Sequence, residues 1–271
     1  MCHVLKVSRS GYYAWKGREI SPREKANEKL LEEIKKVHIA NKKRYGSPRI
    51  YQALRSEGIY CGRHRVARLM RQNLIVCSRK PRYKCAVKSK QRSLRAAENI
   101  LNRRFDVKKP DKVWVSDITC FWTGAGWLHL AIVMDLFSRK IIGWAMGNRM
   151  VDDLTTGALS MAILSRKPKQ KLLHHSDQGS QYTSDRFRSF LNQHGFECSM
   201  SRKGNCHDNA VVESFFKSVK AEIPEHRKFK SREEARKELF EYIEVFYNRK
   251  RLHSTLGYKS PEAFERSFKL T

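Results

Sequence analysis

The sequence lacks a Cys-x-x-Cys pair, although it contains seven cysteines. Without such pairs it shows no zinc-finger pattern, and an odd number of thiols is typical of a protein kept reduced in the cytoplasm. The first residues have no long apolar core of the kind found in signal peptides. The longest apolar stretch, residues 128–134, is interrupted by His129 and is too short to cross a bilayer. We therefore expect a cytoplasmic protein that does not enter a membrane.

Acidic residues are also scarce, with 27 Asp and Glu against 56 Lys and Arg and a formal net charge of +29. Such an excess of positive charge favours binding to phosphates, driven by the release of counterions. The alternative is a surface that is merely cationic, as in ribosomal proteins. The 40% hydrophobic content and the 271 residues suffice for one sizeable core and a smaller module.

Three helices are predicted near the amino terminus, after a short helical segment over residues 1–20. The pairs Ser21-Pro22 and Ser47-Pro48 are typical helix starts, and a third, basic helix follows Gly62. Two short helices joined by a tight turn predict a helix-turn-helix module over residues 21–78. The alternative is a basic hairpin that only packs on its neighbour. The residues expected to contact DNA here are Arg63, Arg65, Arg68 and Arg71.

Residues 79–110 are rich in Lys and Arg and show little apolar periodicity. This composition predicts a basic linker that lies along DNA, or else a solvated tether.

The order of elements over residues 111–223 is strand, strand, strand, helix, strand, helix, strand, helix. This order predicts an α/β domain with a mixed five-stranded sheet and helices on both faces. Residues 224–271 are predicted to form a C-terminal helix and a basic tail.

Three acids occupy suggestive places in this domain. Asp117 lies in the first strand, Asp177 follows the fourth strand, and Glu213 lies on the helix after the sheet, with 35 residues between Asp177 and Glu213. Each alone would be an ordinary strand, turn or helix acid. Together, in a chain this basic, they predict a catalytic site in which carboxylates hold two divalent metal ions for chemistry on a phosphodiester.

Further basic and polar residues lie close to the three acids in sequence. Lys217 and Lys220 share a helix face with Glu213, which predicts either contacts to the DNA backbone or weak surface ion pairs. Asn209 is a helix cap or a DNA contact. Arg251 and His253 are expected to neutralise phosphates, unless the tail is simply solvated. His174 and His175 are interpreted as structural rather than catalytic.

These segments resemble the transposases of the insertion-sequence-three family, which are related to retroviral integrases. The motifs that carry the resemblance are Trp114-Val-Ser-Asp117-Ile-Thr119, Asp135-Leu-Phe-Ser-Arg139, His175-Ser-Asp177-Gln-Gly-Ser-Gln-Tyr182, Asp208-Asn-Ala-Val-Val-Glu213-Ser-Phe-Phe-Lys217, Tyr45-Gly46-Ser-Pro-Arg49-Ile50, and the tail positions Tyr247-Asn248, Arg251, His253-Ser254 and Leu256-Gly257. The resemblance covers nearly the whole chain.

The resemblance implies a ribonuclease H-like fold and a transposase that cleaves and transfers DNA strands with Mg²⁺ or Mn²⁺. Two ions are expected at Asp117, Asp177 and Glu213. The implied partners are double-stranded DNA, further copies of the chain on that DNA, and a DNA-binding protein made from an upstream frame, to which the chain is fused or bound. Two other functions stay open: a DNA-binding protein without catalysis, and a nuclease of the same fold that cuts without joining.

Overall fold

The computed structural model describes residues 2–77, 96–168, 171–202, 205–223 and 229–269. The chain divides into two compact units, Met1–Ser78 and Arg79–Thr271. No helix in the described ranges combines the length and apolarity needed to span a bilayer.

The first unit is helical and contains the predicted three-helix module. The Ser21 hydroxyl accepts a hydrogen bond from the Glu24 amide at 3.2 Å, so the expected cap is present. Fully buried Ile34, Leu54 and Val66 bring the three helices together around one small core. The helices are α1 (Arg9–Lys16), which buries no side chain, α2 (Pro22–Ala40), α3 (Ser47–Ser56) and α4 (Arg63–Gln72).

The second unit contains a five-stranded sheet, four α-helices that follow the β-meander and flank the last two strands, and a C-terminal helical region. Its strands are β1 (Val113–Thr123), β2 (Gly126–Asp135), β3 (Ile141–Gly147), β4 (Leu173–Ser176) and β5 (Glu197–Met200). Its helices are α5 (Asp152–Arg166), α6 (Ser180–Thr183), α7 (Asp185–Gln193), α8 (Ala210–Glu222), α9 (Arg232–Phe240) and α10 (Pro261–Lys269).

The strand order is β3-β2-β1-β4-β5. The first three strands form an antiparallel meander, whereas β4 lies parallel to β1 and β5 lies parallel to β4. This confirms the predicted mixed five-stranded α/β sheet. It also places β1, which carries Asp117, at the centre of the sheet beside β4.

The sheet is covered by helices on both faces. Trp114, Ala131 and Val133 project from β1 and β2 into a core that they share with α5 and α7. On the other face α8 packs against β1, and α9 packs against β1 and β2. Because side chains alternate along a strand, Asp117 lies on the α8 face and its neighbour Ser116 on the α5 and α7 face.

The end of the predicted linker is part of the second unit. Residues 78–94 and Arg95 lie outside the described residues. The amides of Ile100 and Leu101 donate to the Ser199 hydroxyl at 3.0 and 3.2 Å, and Leu101 is 3% exposed. Ile100 and Leu101 therefore pack against β5, so this end of the predicted linker is ordered against the sheet.

The predicted basic tail is likewise integral to the fold. A π-helical segment, Glu241–Tyr247, continues α9. The Asn248 side chain then bonds both backbone groups of Ile141, accepting from its N–H and donating to its C=O at 2.9 Å each. Asn248 thus adds its amide to the edge of β3, and the chain ends in a short 3₁₀ turn, Ser254–Leu256, and α10.

A buried ion network ties α10 to the sheet. The Arg166 guanidinium bonds the carboxylates of Asp111, Asp135 and Glu265 at 2.8 to 2.9 Å. Glu265 also accepts from the Ser138 hydroxyl at 2.7 Å. Charged groups removed from water require such pairing, so this network fixes the C-terminal helix against the turn between β2 and β3.

Candidate functional site

The register between β1 and β4 places two of the three acids side by side. Val115 pairs with His175 in this parallel ladder. Asp117 comes two residues after Val115 in β1, and Asp177 comes two residues after His175, directly past the end of β4, so the two aspartates follow this ladder at similar levels. The strand order thus brings together two residues that are 60 positions apart in the sequence.

Helix α8 runs along β1 in the same direction. At its start, the Asn209 amide nitrogen donates to the Ser116 carbonyl at 3.3 Å. Near its end, the Lys220 ammonium lies 5.8 Å from the centre of the Phe121 ring. From Asn209 to Lys220 the helix rises about 16 Å, and from Ser116 to Phe121 the strand extends about 16 Å.

Glu213 lies between these two contacts. Asn209, Glu213 and Lys220 are spaced at i, i+4 and i+11, which puts them on one stripe of α8. One helical turn after Asn209 corresponds to about two residues along β1. This spacing predicts that Glu213 faces β1 near Asp117 and Ile118.

The three carboxylates are held by nearby groups. One oxygen of Asp117 accepts from the Ile118 amide at 2.8 Å, and one oxygen of Asp177 accepts from the Gly179 amide at 3.0 Å. Glu213, with its side chain 28% exposed, lies 3.6 Å from the Lys217 ammonium. In the part of the chain that the structure describes, no three His, Cys, Asp or Glu side chains are grouped so as to hold a metal ion.

Two buried polar atoms at this place have no hydrogen-bond partner among the described residues. They are the hydroxyl of Tyr182 and the side-chain oxygen of Asn209. Burial raises the pKa of Tyr182 well above its usual value, and the charges of Asp117 and Asp177 raise it further. The phenol therefore stays protonated close to both aspartates. Sequence reasoning gave Tyr182 no role, although it belongs to the motif that contains Asp177.

The two histidines before Asp177 are buried in the sheet. His174 shares a hydrogen bond with the Ser116 hydroxyl at 2.8 Å, and His175 shares one with the Ser199 hydroxyl at 2.9 Å. Burial lowers the pKa of His174 to about 3 and that of His175 to about 4. Both rings are neutral at ordinary pH, in agreement with a structural role.

The approach to α8 is fixed by a buried acid that the sequence did not single out. Asp208 accepts from the guanidinium groups of Arg103 at 2.8 Å and Arg202 at 2.9 Å, and from the Asn99 amide at 2.9 Å. The hydrogen bond from Arg202 holds the pKa of Asp208 well below its usual range, and Arg103 adds to this. These contacts anchor the 3₁₀ turn Cys206–Asn209, from which α8 and Glu213 extend.

Two of the residues predicted to contact DNA are buried. Arg251 is 4% exposed and donates hydrogen bonds to the Glu222 carboxylate. Its charge is therefore neutralised by an ion pair inside the fold. Asn209 is 5% exposed and is engaged with Ser116. Neither side chain is accessible to a DNA backbone in this conformation.

The other predicted DNA contacts are more accessible. Arg63, Arg68 and Arg71 are exposed on α4, whereas Arg65 is partly buried and donates to the Asn27 side chain at 2.8 Å. The Lys217 side chain is 60% exposed beside Glu213. Lys220 is partly buried against Phe121, and partly buried His253 bonds the Thr255 hydroxyl at 2.8 Å.

Known proteins share both units of this chain. An HTH-like domain family matches residues 25–83, and integrase core domain families match residues 107–206 and 194–261. An uncharacterised 31 kDa protein of insertion element IS600 from Shigella sonnei is 44% identical, covering 99% of this chain and 98% of its own length. The transposase of IS904 from Lactococcus lactis is 43% identical, covering 92% of this chain and 98% of its own length. The transposase InsF of IS3A from Escherichia coli is 40% identical, covering 98% of this chain and 92% of its own length.

Two solved structures show more distant likenesses. A chain of the simian T-cell lymphotropic virus intasome, in complex with a PP2A regulatory subunit, has a TM-score of 0.45 at 14% identity, covering 79% of this chain and 70% of that chain. The HTLV-2 integrase catalytic core in complex with magnesium has a TM-score of 0.39 at 16% identity, covering 56% and 94%. From the near full-length relatives and the matched domains, the chain belongs to the insertion-sequence transposases of the IS3 type, enzymes built on an integrase core domain.

Proposed function

We propose that Asp117, Asp177 and Glu213 hold the divalent metal ions with which this transposase cleaves and transfers DNA strands. The proposal is supported by the positions of the three residues on neighbouring elements. The β1–β4 ladder pairs Val115 with His175, each two residues before one of the aspartates. The contacts of Asn209 and Lys220 turn the stripe of α8 that contains Glu213 toward β1.

The chemistry of these residues fits Mg²⁺ or Mn²⁺. Carboxylate oxygens are the hard donors that such ions prefer, and magnesium is usually bound by one or two carboxylates together with waters and substrate phosphates. A complete cage of protein ligands is therefore not required before DNA arrives. Two bound ions would supply Lewis-acid stabilisation of the attacking and leaving oxygens of the phosphodiester.

Neighbouring groups support this assignment. The amides of Ile118 and Gly179 each hold one carboxylate oxygen, which orients Asp117 and Asp177. Lys217 lies next to Glu213 with its ammonium largely exposed, which suits it to neutralise a phosphate close to the reacting bond. The unpartnered Tyr182 hydroxyl is a donor available to a carboxylate or to a bound water.

The substrate that follows from the transposase family and from the net charge is double-stranded DNA, at the ends of the element and at the target. We infer that the exposed arginines of α4 supply a second contact to this DNA. We also propose that several copies of the chain act together on DNA. They would cooperate with a DNA-binding protein made from an upstream frame.

The substitution Asp177→Asn tests the assignment, because it keeps the shape of the side chain and removes its charge. We expect loss of metal-dependent strand cleavage and strand transfer, with DNA affinity nearly unchanged. Asp153→Asn is the matched control, since the Asp153 side chain is 67% exposed on α5 and pairs only with exposed Arg186 among the described contacts.

The readout is the cleavage and joining of a labelled duplex that carries the ends of the element, with Mg²⁺ or Mn²⁺ added. Retained cleavage by Asp177→Asn would exclude Asp177 as an essential ligand. Cleavage without joining by the wild type would indicate a nuclease, and DNA binding without either reaction would indicate a non-catalytic DNA-binding protein.

A further inference from the structure

A cavity of about 200 Å³ lies between α8 and the C-terminal segment. Val211, Ser214 and Ser218 form its α8 wall, on a different stripe of the helix from the one that faces β1. Tyr247 and His253 form the opposite wall. Because Ser214 directly follows Glu213 in the sequence, the cavity lies at about the same level of α8 as Glu213, on another side of the helix.

The polar groups around the cavity suit an anion. None of the residues that line it is acidic, whereas Arg139, Ser214 and Thr255 are among its lining residues. Arg139 donates to the Phe105 carbonyl through Nη2 at 3.0 Å. Its Nη1 is buried and has no partner among the described residues.

A buried guanidinium N–H without an acceptor is unfavourable, and such groups normally find one in the protein, in ordered water or in a ligand. The acceptor that best matches a charged, planar donor is a phosphate or carboxylate oxygen. The remaining wall, made by Ala210, Val211, Phe215 and Tyr247, is apolar and aromatic, so it suits the carbon face of a sugar.

We propose that this cavity binds one backbone phosphate of DNA together with its sugar, with Arg139 donating to the phosphate. The volume is below the 300 Å³ or so at which pockets for drug-sized ligands begin, which favours a single phosphate–sugar unit over a whole free nucleotide. The inference rests on the proposed function, because the phosphate belongs to the strand held beside Asp117, Asp177 and Glu213. The site would fix where that strand crosses α8.

The first test is Arg139→Gln in the full chain, measured by fluorescence anisotropy with a short labelled DNA duplex and no added metal. We expect affinity to fall about tenfold near ~0.1 M salt, and the slope of log affinity against log salt to decrease by about one. The control is Arg186→Gln, which removes one charge from an exposed side chain on α7 and should leave the slope unchanged.

Because Arg139 also bonds Phe105, a second variant separates phosphate binding from folding. Ser214→Trp fills the cavity from an exposed position and removes no charge. It should weaken DNA binding as Arg139→Gln does, while circular dichroism shows an unchanged fold. If Arg139→Gln does not fold, the Ser214→Trp result decides alone.

If the folded Arg139→Gln and Ser214→Trp variants bind DNA with the affinity and salt slope of the wild type, the proposed phosphate site is excluded. That outcome would leave the metal-site assignment untouched, because Asp177→Asn tests that assignment through strand cleavage. Conversely, Asp177→Asn could remain active while the Arg139 and Ser214 variants bind DNA more weakly. That result would exclude Asp177 as a metal ligand and support the phosphate site.

Discussion

Arg251 and Glu222 form a buried, two-pronged ion pair that joins the C-terminal segment to the end of α8. Nη2 of Arg251 lies 2.7 Å from Oε1 of Glu222, and the two side chains are 4% and 8% exposed. The Tyr242 hydroxyl donates to the same carboxylate at 2.8 Å. The helix that carries Glu213 is thus fastened at its far end by a part of the chain that the sequence presents as a basic tail.

Replacing Arg251 by Ala should destabilise the fold strongly, because Glu222 would stay buried without its counter-charge. The expected loss is about 3–5 kcal/mol in the free energy of unfolding, measured by urea denaturation. Arg249→Ala is the control, since its side chain is 65% exposed and lies 3.8 Å from Glu262; a surface pair of this kind contributes at most about 1 kcal/mol.

The double variant Arg251→Met with Glu222→Leu should regain much of that stability, because it leaves no unpaired charge. If the double variant folds and binds DNA as the wild type does, the lost contact was structural. Weakened DNA binding in a stable double variant would instead restore Arg251 as a DNA contact.

The buried histidines should make the fold sensitive to mild acid. Their pKa values, about 3 for His174 and about 4 for His175, lie below the value near 6.5 expected in the unfolded chain. Below about pH 6.5 the unfolded state binds protons that the folded state does not, so stability falls as the pH decreases. The stability that the two neutral rings contribute is fully present above that pH.

As the pH is lowered from about 6.5 to about 4, each of the two histidines should reduce the free energy of unfolding by about 1.4 kcal/mol per pH unit. The measurement compares urea midpoints at about pH 7 and about pH 5 for the wild type and for His175→Gln. The variant should lose less stability between the two pH values. Equal losses would show that His175 does not titrate in this way.

Removing the unpartnered hydroxyl of Tyr182 should not harm the isolated fold. Tyr182→Phe deletes a buried polar atom without a partner among the described residues, so we expect unchanged stability or a gain of about 1 kcal/mol. If the hydroxyl donates to a ligand of the metal, strand cleavage should nevertheless decrease. A loss of stability of about 1 kcal/mol or more would reveal a partner in the folded protein.

The exposed arginines of α4 should matter for DNA binding more than their charge alone predicts. The triple variant Arg63→Gln, Arg68→Gln and Arg71→Gln should lower DNA affinity roughly tenfold or more and reduce the salt slope by up to about three. The control replaces three exposed lysines of α2, Lys25, Lys29 and Lys35, by Gln. Equal effects in both variants would indicate general electrostatic attraction rather than a binding helix.

Local patterns in the sequence predicted most of the fold. Serine-proline starts and the alternation of apolar residues identified α2, α3 and the strands, because these signals depend only on close neighbours. The positions of Asp117 within β1 and of Asp177 directly after β4 followed in the same way. The burial of Arg251 did not follow, because it depends on Glu222, a partner 29 residues away that no local pattern marks.

The same limit explains why the packing of Leu101 and of Asn209 did not follow from the sequence. The stretch around Leu101 looks basic and aperiodic, yet its amides meet Ser199 across nearly a hundred residues. Asn209 looks like an ordinary cap, yet its side chain reaches the backbone of β1. The orphaned Arg139 nitrogen, too, becomes visible only when its surroundings are known.

The pairing of β1 with β4 also limits how this gene can change in length. Deleting or adding one codon between Val113 and Asp117 would turn Asp117 toward the opposite side of the sheet while Asp177 stayed in place. Frame-preserving indels should therefore be absent from this short interval in every active copy of the element. The hairpin turn beyond Thr123, in contrast, lies downstream of Asp117 and can vary in size without moving it.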